Sequence, residues 1–301
     1  MQSGNYVTRY SQLRSQGRRR IFRHAALSGL STLSKITGRL SSLRGTDGVH
    51  CLLLHHVFED EEDAFRNLLR LLSKNHQWAS YSEAVDRILQ GSMEARHMCF
   101  SFDDGFKNCL RAAEIMNEFG ISACFFVCCS MIGQTGREAN HPLRSQRSGQ
   151  PLIELLSWDD LETLLDQGHE IGSHTMDHRN LTELSAQGLE EEICGSFELL
   201  RKKIGTIKHF AWPYGRFVHF KPLAAKIVFD AGYASCASGE RGCHANKEAV
   251  PKRGLCLHRD HVIASWPTHH TLYFLARSAR APLVASDTWP PGWLEAIGGE
   301  G

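Results

Sequence analysis

Short apolar segments alternate with amphipathic segments along most of the chain, and this alternation is the feature that most restricts its fold. The apolar segments have the length of buried β-strands, and the amphipathic segments repeat their apolar residues at helical spacing. The predicted strands are 49–54, 97–102, 122–129, 169–173 and 208–211. The predicted helices are 64–75, 82–89, 108–119, 158–167, 185–203 and 222–231. Strict alternation predicts an α/β fold with a parallel sheet, either open or closed into a barrel.

Charge is unevenly distributed along the 301 residues, although the net charge is only +1. Nine of the 34 basic residues and none of the 33 acidic residues lie in residues 1–46, which leaves a net charge of −8 on the rest. The near-neutral total excludes an overall basic nucleic-acid-binding protein. We therefore divide the chain into a basic N-terminal arm (1–46), a main domain (47–275) and a C-terminal tail (276–301).

The basic arm has one apolar helical face flanked by basic residues, which is typical of a helix that lies on an anionic membrane surface. This face consists of Phe22, Ala26, Leu30, Leu33, Ile36, Leu40 and Leu43. A packed or mobile arm and an organelle transit peptide are the alternatives. The chain has no apolar run long enough to span a membrane, and its N-terminal region lacks the continuous apolar stretch of a secretory signal. Several of its ten cysteines, among them Cys51, Cys99, Cys124 and Cys128, lie in apolar strand-like segments. We expect a cytoplasmic protein with buried thiols, associated peripherally with the membrane through its arm.

Carboxylate and histidine side chains follow two of the predicted strands. Asp103 and Asp104 come directly after strand 97–102, and His174 and His178 follow strand 169–173. Chemistry in parallel α/β proteins lies at the carboxyl ends of strands, so these residues are expected to meet. Two histidines with one carboxylate form a typical catalytic metal site that leaves positions open for water and substrate.

Two more strand ends carry candidate functional residues. The segment Phe210-Ala211-Trp212-Pro213-Tyr214-Gly215 follows a short strand and predicts a rigid loop at the rim. The first strand ends in Leu54-His55-His56, which places a histidine at the same rim. A packed tyrosine and a hydrogen-bonded core histidine are the alternative interpretations of these two segments.

Three ordered motifs, CFSFDDG, GHEIGSHTMDH and FAWPYG, resemble the polysaccharide deacetylase family, also called the NodB-homology domain or carbohydrate esterase family 4. The resemblance extends over about residues 49–270 and is nearest to the exopolysaccharide-type deacetylases. It implies a single catalytic domain built as a distorted (β/α) barrel of about seven strands. The implied activity is a metal-dependent hydrolase that removes N-acetyl groups from a polysaccharide or oligosaccharide.

The same resemblance implies roles for individual residues. Asp103 is the general base, and Asp104, His174 and His178 bind a divalent metal, usually zinc. The backbone N–H of Tyr214 stabilises the oxyanion, and Trp212, Pro213 and Tyr214 contact the saccharide. These roles agree with the chemistry of metal-polarised acyl groups and of proton transfer to a nearby carboxylate.

Two positions depart from the family pattern. Ala211 stands where many members have an arginine that orients the catalytic aspartate, and Arg253 is our candidate replacement. The late segment around His258 does not match the usual general-acid motif, so we favour His55 as the general acid, with His56 and His258 as alternatives.

Three competing functions follow from the same residues. An O-acetyl esterase or a non-sugar amidohydrolase would use the same machinery on another bond. A catalytically inactive sugar-binding relative would retain only the barrel.

Overall fold

The computed structural model describes residues 6–13, 26–33, 47–135, 152–245, 247–250, 253–284 and 287–298. In these ranges the strands are β1 (Gly48–Leu54), β2 (Gln77–Trp78), β3 (Arg96–Phe102), β4 (Ala123–Val127), β5 (Glu170–Ser173), β6 (His209–Ala211), β7 (Ser235–Ala237), β8 (Cys243–His244), β9 (Cys256–Leu257) and β10 (Arg259–His261). The helices are α1 (Tyr10–Leu13), α2 (26–33), α3 (Glu62–Leu72), α4 (Tyr81–Gln90), α5 (Cys109–Asn117), α6 (Trp158–Asp166), α7 (Ala186–Ile204), α8 (Pro222–Ala231), α9 (Thr268–Arg280) and α10 (Trp293–Ile297).

One chain segment closes the sheet into a barrel. The strand order is β10-β1-β3-β4-β5-β6-β7-β9, and every neighbouring pair in this order is parallel. Strands β9 and β10 are separated by His258 alone, and they pair with β7 and β1 respectively. The segment 256–261 therefore bridges both ends of the sheet, and seven chain segments enclose the described barrel. The predicted distorted barrel is confirmed.

Local sequence signals account for the positions of most elements. The predicted strands and helices up to residue 231 all form, with ends that move by a few residues. Helix α6, for example, begins after Ser157, whose side chain accepts a hydrogen bond from the backbone N–H of Asp160 at 3.1 Å. All seven residues of β1 are buried, because one face of the strand lines the barrel and the other packs against helices. The cysteines are free and buried apart from Cys194, which is partly buried, as their sequence context predicts.

The C-terminal residues are an integral part of the fold. The boundary that we drew at 275/276 falls inside helix α9, and helix α10 packs against α8. Trp289 is 5% exposed and stacks near Trp212 with a centroid distance of 6.3 Å. The C-terminal tail is therefore a packing layer of the domain.

Only part of the basic arm lies within the described residues. Helix α2 includes Ala26, Leu30 and Leu33 of the predicted apolar face, whereas Phe22, Ile36, Leu40 and Leu43 lie outside the described residues. The side-chain hydroxyl of Ser28 is 3.0 Å from Nε2 of His270 in α9, which joins α2 to the domain. Leu30 and Leu33 are 46% and 52% exposed. No helix among the described residues has the length and hydrophobicity needed to cross a membrane.

Candidate active site at the carboxyl ends of the strands

The barrel brings the predicted metal ligands together. Asp104 follows β3, and His174 and His178 lie in the loop after β5. Oδ1 of Asp104 is 3.5 Å from Nε2 of His174 and 3.3 Å from Nε2 of His178. The three ligand atoms all lie within 4.8 Å of one another, and both histidines are buried.

Hydrogen bonding leaves the outward-facing nitrogen of His174 suited to a cation. Nδ1 of His174 donates to the backbone carbonyl of Ala211 at 2.8 Å, so that Nε2 of the neutral ring carries the lone pair that faces Asp104. A lone pair and a carboxylate oxygen repel each other unless a proton or a metal ion lies between them. The donor set of two imidazoles and one carboxylate fits a divalent metal such as zinc.

The pKa values of Asp104 and His174 are both shifted at this site. Burial disfavours the ionised carboxylate of Asp104, but hydrogen bonds from His174 and His178 outweigh burial and hold its pKa well below the usual range. Burial would lower the pKa of His174, but the charges of Asp103 and Asp104 outweigh it and raise that pKa. The pocket thus already favours a positive charge next to the aspartate pair.

A tight turn, not a helix, makes the two histidines converge. The backbone N–H of His178 donates to the hydroxyl of Thr175 at 3.0 Å. The buried Glu192 of α7 accepts hydrogen bonds from the backbone N–H groups of Met176 and Asp177 at 3.1 and 2.9 Å. The conformation of the loop is therefore stabilised by a hydrogen bond within the loop and by two hydrogen bonds to helix α7.

Unusual backbone conformations are concentrated at this site. Among the described residues, the non-glycine residues with positive φ are Asp104, Thr175, His178 and Tyr214, with φ of 77°, 70°, 56° and 65°. Left-handed backbone is costly for residues with a Cβ and persists where the surrounding structure enforces it. All four belong to the three loops that carry the motifs, so the barrel stores strain where the functional groups are oriented.

A bidentate ion pair orients the predicted general base. Nη1 and Nη2 of Arg259 donate to Oδ1 and Oδ2 of Asp103 at 2.7 and 2.8 Å. Arg259 is fully buried, and it also donates to the hydroxyl of Ser101 and to the carbonyl of Ser238 at 3.1 and 2.8 Å. The charge of Asp103 outweighs burial and raises the pKa of Arg259 further, which keeps the guanidinium charged.

The prediction that Arg253 orients Asp103 is wrong. The guanidinium of Arg253 pairs with Asp230 of α8 and donates to the carbonyl of Ile297 at 3.1 Å. Arg253 thus joins α8 to α10 at the surface, while Arg259 reaches Asp103 because its side chain points into the barrel.

The loop after β6 places Tyr214 at the site but buries Trp212. The ring of Tyr214 lies 5.0 Å from the ring of His178. Trp212 is fully buried, stacks on Phe220 at 4.2 Å and donates from its indole N–H to the carbonyl of Arg216 at 3.1 Å. The expectation that Trp212 contacts the saccharide is therefore wrong, because the ring is fully buried among Phe217, Phe220 and Trp289.

Close backbone packing supports the same loop. Pro213 is buried, and Gly215 has φ of 64°. A Cβ at Gly215 would lie 2.6 Å from the backbone nitrogen of Gly239, so only glycine allows this approach. The backbone at Tyr214 is thereby held in one position at the barrel rim.

Of the three histidines considered as general acid, His55 faces the aspartate pair. Burial lowers its pKa, and the nearby charges of Asp104 and Asp103 oppose that effect. Nδ1 of His56 is 3.1 Å from Oε2 of Glu61, and Nε2 of His258 is 3.0 Å from the carbonyl oxygen of Thr288. His258 lies between β9 and β10 and packs near Phe217, away from Asp103.

Sequence reasoning missed three residues of this site. Arg259 and His261 occupy alternate positions of β10, so both face the barrel side that carries Asp103. The ring of His261 lies 5.2 Å from that of His55. The alternation Arg-Asp-His, one residue after the apolar run 255–257, was the available signal for these two. Glu192 lies in an acidic run of an amphipathic helix, and no local signal distinguishes it.

The structure is an α/β barrel with carboxylate, imidazole and guanidinium groups gathered at the carboxyl ends of its strands. Residues 90–235 match the family model described as polysaccharide deacetylase. This match spans just under half of the chain and supports a hydrolase that acts on carbon–nitrogen bonds. No curated protein matches the chain.

Solved structures share the fold, and two of the following three are named as deacetylases. IcaB from Ammonifex degensii is 20% identical with a TM-score of 0.61, and the alignment covers 76% of this chain and 97% of that one. The deacetylase PplD of Streptococcus pyogenes in complex with acetate is 16% identical with a TM-score of 0.58, covering 81% and 99%. A de-N-acetylase from Aggregatibacter actinomycetemcomitans is 15% identical with a TM-score of 0.58, covering 76% and 100%. At these identities the likeness shows the fold.

Proposed function

We propose that the protein removes N-acetyl groups from an N-acetylated polysaccharide or oligosaccharide, with a divalent metal, most suitably zinc, as cofactor. The observation that carries the proposal is that two adjacent carboxylates at the barrel rim have different partners. Asp103 is held by Arg259, whereas Asp104 faces the nitrogens of His174 and His178. One carboxylate is thus arranged for proton transfer and the other for cation binding.

The metal would be held by Asp104, His174 and His178. When bound, such a metal supplies Lewis-acid chemistry, which polarises an acyl carbonyl and acidifies water. Asp103 accepts the proton of the attacking water, and the paired guanidinium of Arg259 keeps both carboxylate oxygens in a fixed orientation. The backbone N–H of Tyr214 stabilises the charge that develops on the acyl oxygen.

His55 gives a proton to the departing nitrogen in this proposal. Its place at the end of β1, close to Asp103 and Asp104, supports the role. The products are acetate and a free amine on the sugar. The polysaccharide deacetylase family model, together with the deacetylases of the same fold, supports an acetylated saccharide as substrate.

Acetate release tests this function. Purified protein is incubated with N-acetylglucosamine oligomers and zinc, as wild type, Asp103→Asn and His174→Ala. Acetate from the wild type alone supports the proposal, and turnover that survives both substitutions contradicts it. An O-acetylated saccharide and a non-sugar acetamide in parallel separate esterase and general amidohydrolase activity from N-deacetylation. Measurement of bound metals in the same sample identifies the ion.

We also propose a cytoplasmic location with peripheral membrane association. Leu30 and Leu33 are exposed on α2, within an arm that carries nine basic and no acidic residues. Exposed apolar side chains within a basic segment favour binding to anionic lipid surfaces.

A further inference from the structure

A mainly apolar cavity lies beside the candidate active site, outside the groups assigned to the reaction. It has a volume of about 260 Å³. Its walls come from α2, the loop before β8, the end of β10 and helix α9 with the loop before it. The lining residues are Leu27, Arg241, His261, Ile263, Trp266 and Phe274.

The cavity adjoins the catalytic rim through a row of packed aromatic rings. The ring of His55 lies 5.2 Å from that of His261, which lies 6.1 Å from that of Trp266, and Phe274 follows at 5.8 Å. His261 pairs with Leu53 of β1, two residues before His55. His261 therefore belongs both to the wall of the cavity and to the surroundings of His55, so the cavity lies one side chain away from the catalytic rim.

The polar groups of the wall are already engaged by the protein. Arg241 donates to Oδ1 of Asp260 at 3.1 Å and to the carbonyl of His261 at 2.7 Å, and its guanidinium lies 4.0 Å from the ring centroid of Phe274. A sugar ring needs hydrogen-bonding partners for its hydroxyls, whereas an alkyl or aryl group needs apolar contacts only. The wall therefore favours an apolar group.

We propose that this cavity binds an apolar group carried by the N-acylated saccharide substrate, either at the anomeric oxygen or as the acyl chain. The inference rests on the proposed function, since it assigns a specificity site to the same reaction. Helix α2 takes part directly, because Leu27 forms one wall and Ser28 holds the helix against His270. The basic arm would thus contribute to substrate selection in addition to any lipid contact.

Equilibrium binding tests the cavity without requiring turnover. Isothermal titration compares the methyl and octyl glycosides of N-acetylglucosamine, below the micelle concentration of the octyl compound. Each buried methylene is worth about 0.8 kcal/mol, or about fourfold in affinity. We expect the octyl glycoside to bind at least about tenfold more tightly. A second pair, the methyl glycosides of N-acetyl- and N-hexanoyl-glucosamine, reports whether the acyl chain is the group that enters.

Variants on one helix provide the matched comparison. Leu27→Trp fills the cavity and should reduce the chain-length preference to about twofold or less, whereas Leu30→Trp, on an exposed position of the same helix, should leave it unchanged. Phe274→Ala removes apolar contacts from the opposite wall and should also reduce the preference. This variant keeps the proposal testable if Leu27→Trp fails to fold. Equal affinities within both ligand pairs, or a preference unaffected by Leu27→Trp and Phe274→Ala, would overturn the inference. Acetate release from the methyl glycoside, measured separately, reports on the proposed function itself.

Discussion

Both oxygens of Asp103 accept hydrogen bonds from the guanidinium of Arg259, at 2.7 and 2.8 Å, in the interior of the barrel. The pair fixes the plane of the carboxylate and keeps a positive charge beside it. Because Ser101 and Ser238 hold the guanidinium in turn, the orientation of Asp103 depends on contacts from three strands or strand ends.

We expect Arg259→Lys to lower kcat by about 100-fold with little change in KM, because an ammonium cannot hold both oxygens and a misplaced base reacts slowly. Asp103→Asn should lower kcat by about 100-fold or more, since proton acceptance is lost. Steady-state kinetics on N-acetylglucosamine oligomers measure both. Arg253→Ala is the matched control, and a comparable kcat loss in that variant would reassign the orienting role.

The same pair should affect stability. Arg259→Gln leaves a buried carboxylate without its partner and should lower the free energy of unfolding by about 3–5 kcal/mol. In the Asp103→Asn background the same substitution should cost clearly less, because no buried charge remains unpaired. Denaturant unfolding of the four proteins measures the coupling, and additive costs would show that the two side chains act independently.

Metal binding should be visible in the melting temperature. A ligand that binds only the folded protein stabilises it by an amount that grows with the logarithm of its concentration above Kd, so added zinc should raise Tm of the chelator-treated protein. His178→Asn should remove this rise while tolerating the positive φ at that position, since asparagine accepts left-handed backbone. His269→Asn, at an exposed position, is the control. A zinc-dependent rise that persists in His178→Asn would exclude this cluster as the binding site.

A buried histidine at the amino end of β5 should make stability fall in mild acid. Nδ1 of His169 accepts a hydrogen bond from the backbone N–H of Ala123 at 3.1 Å, and burial lowers its pKa to about 4 from 6.5. In the unfolded chain this histidine binds a proton near pH 6.5, whereas in the folded chain it binds one only near pH 4. The free energy of unfolding is therefore unaffected by this group above pH 6.5 and decreases as the pH falls towards 4.

Asparagine at this position keeps an acceptor for Ala123 but does not titrate. We expect the loss of unfolding free energy between pH 7.5 and pH 5 to be about 2 kcal/mol smaller in His169→Asn than in wild type. His269→Asn should follow the wild type. Parallel pH profiles for all three proteins would show that His169 is protonated without unfolding.

Lipid binding by the arm can be tested without deleting folded residues. Leu30→Asp combined with Leu33→Asp should reduce co-sedimentation with phosphatidylserine-containing vesicles several-fold, because both side chains are exposed on α2. Val218→Asp, at a 67% exposed position outside the arm, is the control. Equal vesicle binding by the double variant and wild type would contradict peripheral association through this helix.

The motifs could be located from sequence because each follows a strand with a clear apolar pattern. Asp103, Asp104 and His174 come directly after such strands, and parallel pairing brings their ends to one rim. The role of Arg259 could not be predicted, because β9 and β10 have only two and three residues, which is too few for a periodic pattern. Trp212 was misinterpreted because Trp289, which helps bury it, is distant in sequence and belongs to a segment without periodicity.

The bridging of both sheet ends by segment 256–261 has a consequence for biosynthesis. Arg259 is separated from Asp103 by 156 positions, and it is inserted only when the final closing segment arrives. A nascent or truncated chain that ends before this segment can form most strands, but its aspartate lacks the partner that orients it. Competence for catalysis is therefore acquired late in synthesis, together with closure of the barrel, and incomplete chains should be inactive even where they are partly folded.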